Sequence, residues 1–372
     1  MALSRAKPGA QKTLVALRAL GLGDFLCGVP AYHALARGFP RHRRILALPR
    51  ALHPLTALLE GAFHEAVDVA PLGPLPAALG PIDVAVNLHG SGPQSHRVLL
   101  REQPRQLIAF AHPDISETVG GPRWDVREHE RRRWCRLLRS AGIEADADAL
   151  SIAIPALDAA RFPSGAVIVH PGAASGARRW PAARFAAVAR VLTADGPVLL
   201  TGAPEECELA KRVAVLAGRR GVAAIAGQTS LLELAALVAR APCVISGDTG
   251  IAHLASAYGT PSIVLFGPTS PASWGPPARP QHRVLWSGSV GDPHTNVVDA
   301  GLLTVTVEDV LGANSELRAR FPLAEGRASL TGRTLRKEAI TSVAGCFHGD
   351  ERRGEHKPVE ARQFGRFEVG GI

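Results

Sequence analysis

The sequence predicts an α/β protein built from two Rossmann-like units that face one another across a cleft, and three observations carry this prediction. Short apolar runs alternate with stretches of helical length from Thr13 to about residue 142, and the same alternation restarts at Ala166. Glycines and polar residues gather directly after the apolar runs, where parallel strands deliver them to a ligand crevice. The chain has 372 residues, too many for one hydrophobic core and well suited to two domains. The expected boundaries are 1–150 for the first unit, 160–312 for the second, and 313–372 for an irregular or disordered tail rich in Gly, Arg and Glu.

In the first unit, "TLVALRAL" (13–20) reads as a strand and "DFLCGVPAYHALARGF" (24–39) as one helix after a glycine turn. "RRILALP" (43–49), "EAVDVA" (65–70) and "PIDVAVNLHG" (81–90) follow as strands, the last ending in polar residues. Around 124–142 the pattern turns helical, with Trp134, Leu137 and Leu138 on one face and Gly142 as the C-terminal cap. Arg131, Arg132 and Arg133 are read as its solvated basic face rather than as a nucleic-acid site. "EADADALSIAIPALDAARFPSG" (144–165) is the connection to the second unit. There "AVIVHPG", "PVLLTGAP", "VAAIAG", "PCVISGD" and "PSIVLFGP" are strands, and the stretches between them are long enough for right-handed helical crossovers.

Composition narrows the function classes. With 46% hydrophobic and 20% charged residues the chain is globular, and no apolar run reaches the roughly 18 residues of a membrane helix. Arg18 and Asp24 interrupt the N-terminal stretch that imitates a signal peptide, so a cytoplasmic location is expected. Cys27, Cys135, Cys207, Cys243 and Cys346 are odd in number and scattered, which suits reduced thiols and neither a disulfide framework nor a metal site. The net charge of +9 favours an anionic partner. Without a recognition module or aromatic platform beside the arginines, that partner is not expected to be nucleic acid.

"GDTGIAHLASAYGTPSIVLFGPTSP" (247–271) holds the most informative motif. Its Asp-Thr-Gly triplet also occurs in aspartic proteases, but those need two such triplets in β surroundings, whereas this one stands between a strand and a helix. There Asp248, Thr249 and the backbone N–H groups of 249–251 form a helix N-terminus, a natural phosphate site. Upstream, "HPGAASGARRWP" (170–181) combines a strand end, a small-residue loop containing Ser175, and two arginines whose planar forks suit a diphosphate. "TGAPEE" (201–206) ends a strand with Glu206, read on its own either as a carboxylate that could hold a ribose or sugar hydroxyl or as an ordinary surface helix residue. In "GLGDFL" (21–26), Leu26 occupies the third-glycine position of a dinucleotide fingerprint, so NAD is not expected. Asp24 instead stands at the end of the strand-turn, ahead of a helix and facing the crevice, where it is either a plain N-cap or a well-placed general base.

These stations, in this order, resemble glycosyltransferase family 9, the group containing the bacterial lipopolysaccharide heptosyltransferases. The resemblance runs from about Thr13 to Leu311. It is most specific at Gly227, Asp248, Thr249, Gly250, His253, Leu254, Ala255, Gly259, Pro261, Phe266, Gly267 and Pro268, and "RALGLGDFLCGVPAYHALARGFP" resembles the family's N-terminal signature. It implies a GT-B architecture and metal-independent, inverting transfer with no cofactor, the nucleotide-sugar itself being a substrate. Asp24 is the implied base. Ser175, Arg178, Glu206, Asp248, Thr249, Gly250 and His253 are the implied donor-binding residues, and Asn87 and His89 in "NLHGSG" are candidates for the acceptor side. The family often has Lys where this chain has Arg178, a change that keeps the charge and favours bidentate pairing.

The expected activity is transfer of a heptose or related sugar from a nucleoside diphosphate, ADP-heptose first among them, to a cell-envelope glycolipid or saccharide, with peripheral contact at the inner membrane face. Two other readings of the paired units stay open at this point. One is a nucleotide-sugar epimerase or hydrolase, which turns over donor without acceptor, and the other is a non-catalytic nucleotide-sugar-binding protein.

Overall fold

A computed structural model describes residues 11–157 and 161–322; the expected tail beyond Pro322 and Cys346 within it lie outside the described residues. The first sheet has five parallel strands in the order β3-β2-β1-β4-β5: β1 (Thr13–Leu17), β2 (Arg43–Leu48), β3 (Glu65–Asp68), β4 (Val84–Asn87) and β5 (Gln106–Ile108). Its helices are α1 (Leu22–Cys27), α2 (Val29–Gly38), α3 (His53–Thr56), α4 (Gln94–Leu100) and α5 (Glu130–Ser140). The second sheet has six parallel strands in the order β11-β10-β9-β6-β7-β8: β6 (Val167–His170), β7 (Val198–Leu200), β8 (Val222–Ala224), β9 (Val244–Gly247), β10 (Ser262–Leu265) and β11 (His282–Leu285). Around it lie α6 (Ala182–Leu192), α7 (Cys207–Ala217), α8 (Leu231–Arg240), α9 (Gly250–Tyr258), α10 (Pro271–Trp274), α11 (Ala300–Thr304) and α12 (Val307–Arg320).

Both sheets reverse strand order beside their first strand, between β1 and β4 in one and between β6 and β9 in the other. Loops leaving the strands at such a switch point diverge and open a crevice. The segments after β1, β6 and β9 are the ones that carry Asp24, Arg178 and Asp248. The central strands are mostly apolar and buried on both faces: every residue of β1, β4, β9 and β10 is buried, the few polar ones among them included.

The units touch through α1 and α9, and that crossing depends on glycine. A Cβ on Gly23 would stand 3.1 Å from Cδ2 of His253, and one on Gly250 would stand 2.9 Å from Cβ of Leu22. The connecting segment is strapped to both sides, with Ala153 donating its N–H to the Leu58 carbonyl at 2.8 Å and accepting from the Tyr258 hydroxyl at 3.1 Å.

Four expectations change. The single helix 24–39 is two, because Pro30 has no N–H for the helical ladder and α2 restarts with that proline in its first turn. Asp24 therefore sits inside the first turn of α1, with Gly21 as N-cap. The basic face of α5 is not solvated: Arg131 and Arg133 are buried, the first bonded to the Ala147 carbonyl and to Asp148, the second ion-paired with Glu130 and stacked 4.1 Å from the Trp124 ring. Only Arg132 of the three is exposed. The second unit does not stop at 312. Helix α12 starts at a capping box of Thr306 and Asp309 and runs to Arg320, burying Val310, Ala313, Asn314 and Leu317 at helical spacing.

Candidate active site

The loop after β9 is held open by its neighbours. Thr249 is the N-cap of α9 in an extended conformation, and its hydroxyl makes no cap bond. The Thr249 Oγ1 is buried and has no hydrogen-bond partner among the described residues, an arrangement that costs free energy unless a ligand or water completes it. With no side-chain cap, the first backbone N–H groups of α9 gain no partner from the Thr249 side chain, and Gly250 and Ile251 line the cavity.

Arg178 reaches this loop from the segment after β6. Its Nη1 lies 3.3 Å from the Asp248 carbonyl oxygen and 3.9 Å from Asp248 Oδ2, while its Nε donates to Ser175 Oγ at 3.4 Å. Arg179 is exposed and turns away to the Ala173 carbonyl, so the choice between the two forks falls on Arg178. The Ser175 hydroxyl donates to the Pro293 carbonyl at 2.5 Å and is not on the cavity wall. It braces Arg178 instead of offering a hydrogen bond to a ligand. Glu206 accepts from the Ala203 N–H at 2.8 Å and lies 3.7 Å from His170 Nε2. A Cβ on Gly172 would fall 2.0 Å from Glu206 Oε1, so a larger residue there would move this carboxylate from its place.

Asp24 supplies the wall from the first unit. Its Oδ1 is 3.3 Å from Nη2 of Arg18, a guanidinium with no exposed surface, and the same Nη2 lies 3.0 Å from Glu130 Oε1. Asp24, Arg178, Glu206, Asp248, Thr249 and His253 line one cavity of about 620 Å³, a volume that holds a small-molecule ligand. Gly250 lines it as well.

Asn87 and His89 do not reach it. Asn87 is fully buried, its amide donating to Ser95 Oγ at 2.9 Å and accepting from the His89 N–H at 2.9 Å. His89 Nδ1 accepts from the Ala19 N–H at 3.2 Å. The two therefore brace the turn between β1 and α1, because β4 runs beside β1 and its last polar residues meet that turn before they meet the cleft. Arg18, Glu130 and His170, by contrast, escaped the sequence reading. Arg18 registered only as a charge within an apolar run, Glu130 as part of a charged helix, and His170 only as the start of the loop motif.

Burial dominates the electrostatics. It pushes the Asp248 carboxyl up to about 6, with the Arg178 charge opposing, and lowers His253 to about 3, so that this imidazole is neutral. Burial also raises Asp24, against the pull of Arg18 and with the help of Glu130, and lowers His170 against Glu206. For Asp248 the sign is definite. Its folded-state value lies above the 3.8 of an unfolded carboxyl, so ionising it costs nothing below that pH and its full cost is present above about 6. Asp248→Asn is accordingly expected to gain roughly 3 kcal/mol relative to the native protein between about pH 4 and pH 7. Urea unfolding at the two pH values checks this; a stability gap that does not change with pH would contradict it.

Residues 138–298 match the family model for glycosyltransferase family 9 (heptosyltransferase). Lipopolysaccharide heptosyltransferase 3 of Escherichia coli is 37% identical over 123 residues, covering 32% of this chain and 36% of that protein. The chain thus spans about a third of the length of the curated relatives it matches. Among solved structures, the glycosyl transferase family 9 protein of Veillonella parvula superposes with a TM-score of 0.71 at 19% identity, over 85% of this chain and all of that one. E. coli ADP-heptose LPS heptosyltransferase II superposes with a TM-score of 0.67 at 19% identity, over 83% and 99%. At those identities the superpositions establish a shared fold, and with it the expected architecture of two facing units.

Proposed function

We propose that this glycosyltransferase family 9-like chain is an inverting glycosyltransferase that moves a heptose or related sugar from a nucleoside diphosphate, ADP-heptose first among them, onto a lipopolysaccharide or related cell-envelope saccharide. One observation carries the reading: a carboxylate from one switch point and a diphosphate-suited set from the other line the same cavity. In this reading Asp24 takes the proton of the acceptor hydroxyl as its oxygen attacks the anomeric carbon. The bond to the diphosphate breaks through an oxocarbenium-like state, and a single displacement inverts the centre. Negative charge grows on the departing diphosphate, where Arg178 and the first N–H groups of α9 receive it without the need of a metal. Asp248, largely buried at the cavity wall and 3.9 Å from its nearest cation, is placed to accept from sugar hydroxyls, and Glu206 from those of the ribose.

The acceptor of such an enzyme is anchored in a lipid surface. Among the described residues no helix is long and apolar enough to cross a membrane. The reading also includes peripheral contact with the inner face of the membrane, favoured by the net charge of +9.

A ligand that binds only the folded state raises its melting temperature. In a thermal-shift panel of ADP, GDP, UDP and CDP, ADP is expected to give the largest rise. Absence of any rise at millimolar nucleotide would remove the donor site from the account.

A further inference from the structure

Arg18 follows β1 directly and is entirely enclosed. Its Nε donates to the Asp24 carbonyl at 2.7 Å, its Nη1 to the Leu88 carbonyl, and its Nη2 stands between Asp24 Oδ1 at 3.3 Å and Glu130 Oε1 at 3.0 Å. Its face lies 4.8 Å from the Trp134 ring centre. Glu130 is anchored from behind, accepting from Trp134 Nε1 at 2.9 Å and paired with Arg133. Two cations and two carboxylates therefore alternate from Arg133 through Glu130 and Arg18 to Asp24, and only the last opens onto the cavity, with 29% of its side chain exposed.

A buried ion-pair chain adds little net stability compared with apolar packing of the same volume, so its place behind a cavity carboxylate calls for another account. Rigid fixing of a reacting group by a second layer of hydrogen bonds supplies one. We propose that Arg18 and Glu130 are positioning residues for Asp24. Arg18 pins the carboxylate at the cavity wall, and Glu130 takes up enough of the Arg18 charge for the ionised Asp24 to stay basic enough to accept a proton.

The other charged or titratable groups near Asp24 are compensated or neutral. From α9 comes His253, neutral through burial; from the segment after β4 comes His89, lowered to about 4; from α1 and α2 come Cys27 and Tyr32, both buried and protonated. Arg131 on α5 is paired with Asp148, and Arg178 and Asp248 line the cavity from the second unit.

The inference rests on the proposed role of Asp24 as base, but its test does not need turnover. In protein labelled with aspartate carrying ¹³C at the side-chain carboxyl, the Asp24 signal is assigned by its loss in Asp24→Asn and titrated without substrate. Glu130→Gln leaves the Arg18 charge undivided and is expected to lower the Asp24 midpoint by about one pH unit. Arg18→Gln removes the charge and is expected to raise it by about one unit or more. Arg18→Lys keeps the charge and is expected to leave the midpoint near the native value while kcat falls roughly tenfold, because the fork that fixes the carboxylate is gone. Opposite shifts are not what a merely structural role produces. Midpoints that stay together, or move in one direction in both charge-removing variants with native-like melting, would overturn the proposal; if Arg18→Gln does not fold, Glu130→Gln and Arg18→Lys decide it. Opposite midpoint shifts in a protein that transfers no sugar would support the positioning pair and count against the transferase reading alone.

Discussion

Asp24→Asn is expected to lower acceptor-dependent transfer by about 10³-fold while leaving the thermal response to ADP intact. The amide has the shape of the carboxylate but cannot take the proton from the acceptor hydroxyl. Little stability is at stake, because burial already penalises the charged form of Asp24 and offsets the loss of its pairing with Arg18. Initial rates with saturating donor, together with melting curves with and without ADP, separate the two effects. A variant within a few-fold of native activity would take the role of base away from Asp24. A variant that also stopped responding to ADP would mean that the substitution had disturbed the α1–α9 crossing instead of the chemistry.

Arg178→Ala is expected to weaken ADP binding by about 10- to 100-fold, the range for losing charge-assisted hydrogen bonds to a diphosphate. The side chain is held ready for that role by Ser175 and by the Asp248 carbonyl. Arg178→Lys should recover part of the affinity, since the charge returns without the planar fork. The substitution also takes away the cation that opposes the rise of Asp248, so that carboxyl should titrate above its native value of about 6. Calorimetric titration of ADP at low and moderate salt measures the first effect. Affinity unchanged by the loss of Arg178 would place the diphosphate elsewhere in the cavity.

Much of the fold was legible because its signals are local. β1, β4, β9 and β10 are buried on both faces and read as apolar runs, and Ser230 and Glu233 mark the start of α8 with a capping box. The short strands β5 and β11, with three and four residues, give no such run, and α4 lies in a polar stretch with no cap. That Arg178, Glu206 and Asp248 would gather at one crevice was legible because each follows a strand within a small-residue loop. Arg18 and Glu130 were not: they stand 112 positions apart, and only the packing of α5 against α2, which sets Glu130 beside Arg18, brings a basic helix face inward. The same packing misled the reading of Arg131 and Arg133, whose charges look solvated until Asp148, Glu130 and Trp124 are seen around them. Asn87 misled in the opposite sense, since a polar residue at a strand end also suits a brace for the neighbouring turn.

In the proposed function the cavity joins a nucleotide-sugar site to an acceptor base. The most direct test is release of ADP from ADP-heptose, measured by a coupled assay with and without a lipopolysaccharide core acceptor that lacks its terminal heptose. Release is expected to depend on the acceptor and to fall by about 10³-fold in Asp24→Asn. Release at the same rate without acceptor would contradict that reading in favour of a hydrolase, conversion of ADP-heptose to its epimer without ADP release would favour an epimerase, and ADP-heptose binding without any turnover would leave a binding protein.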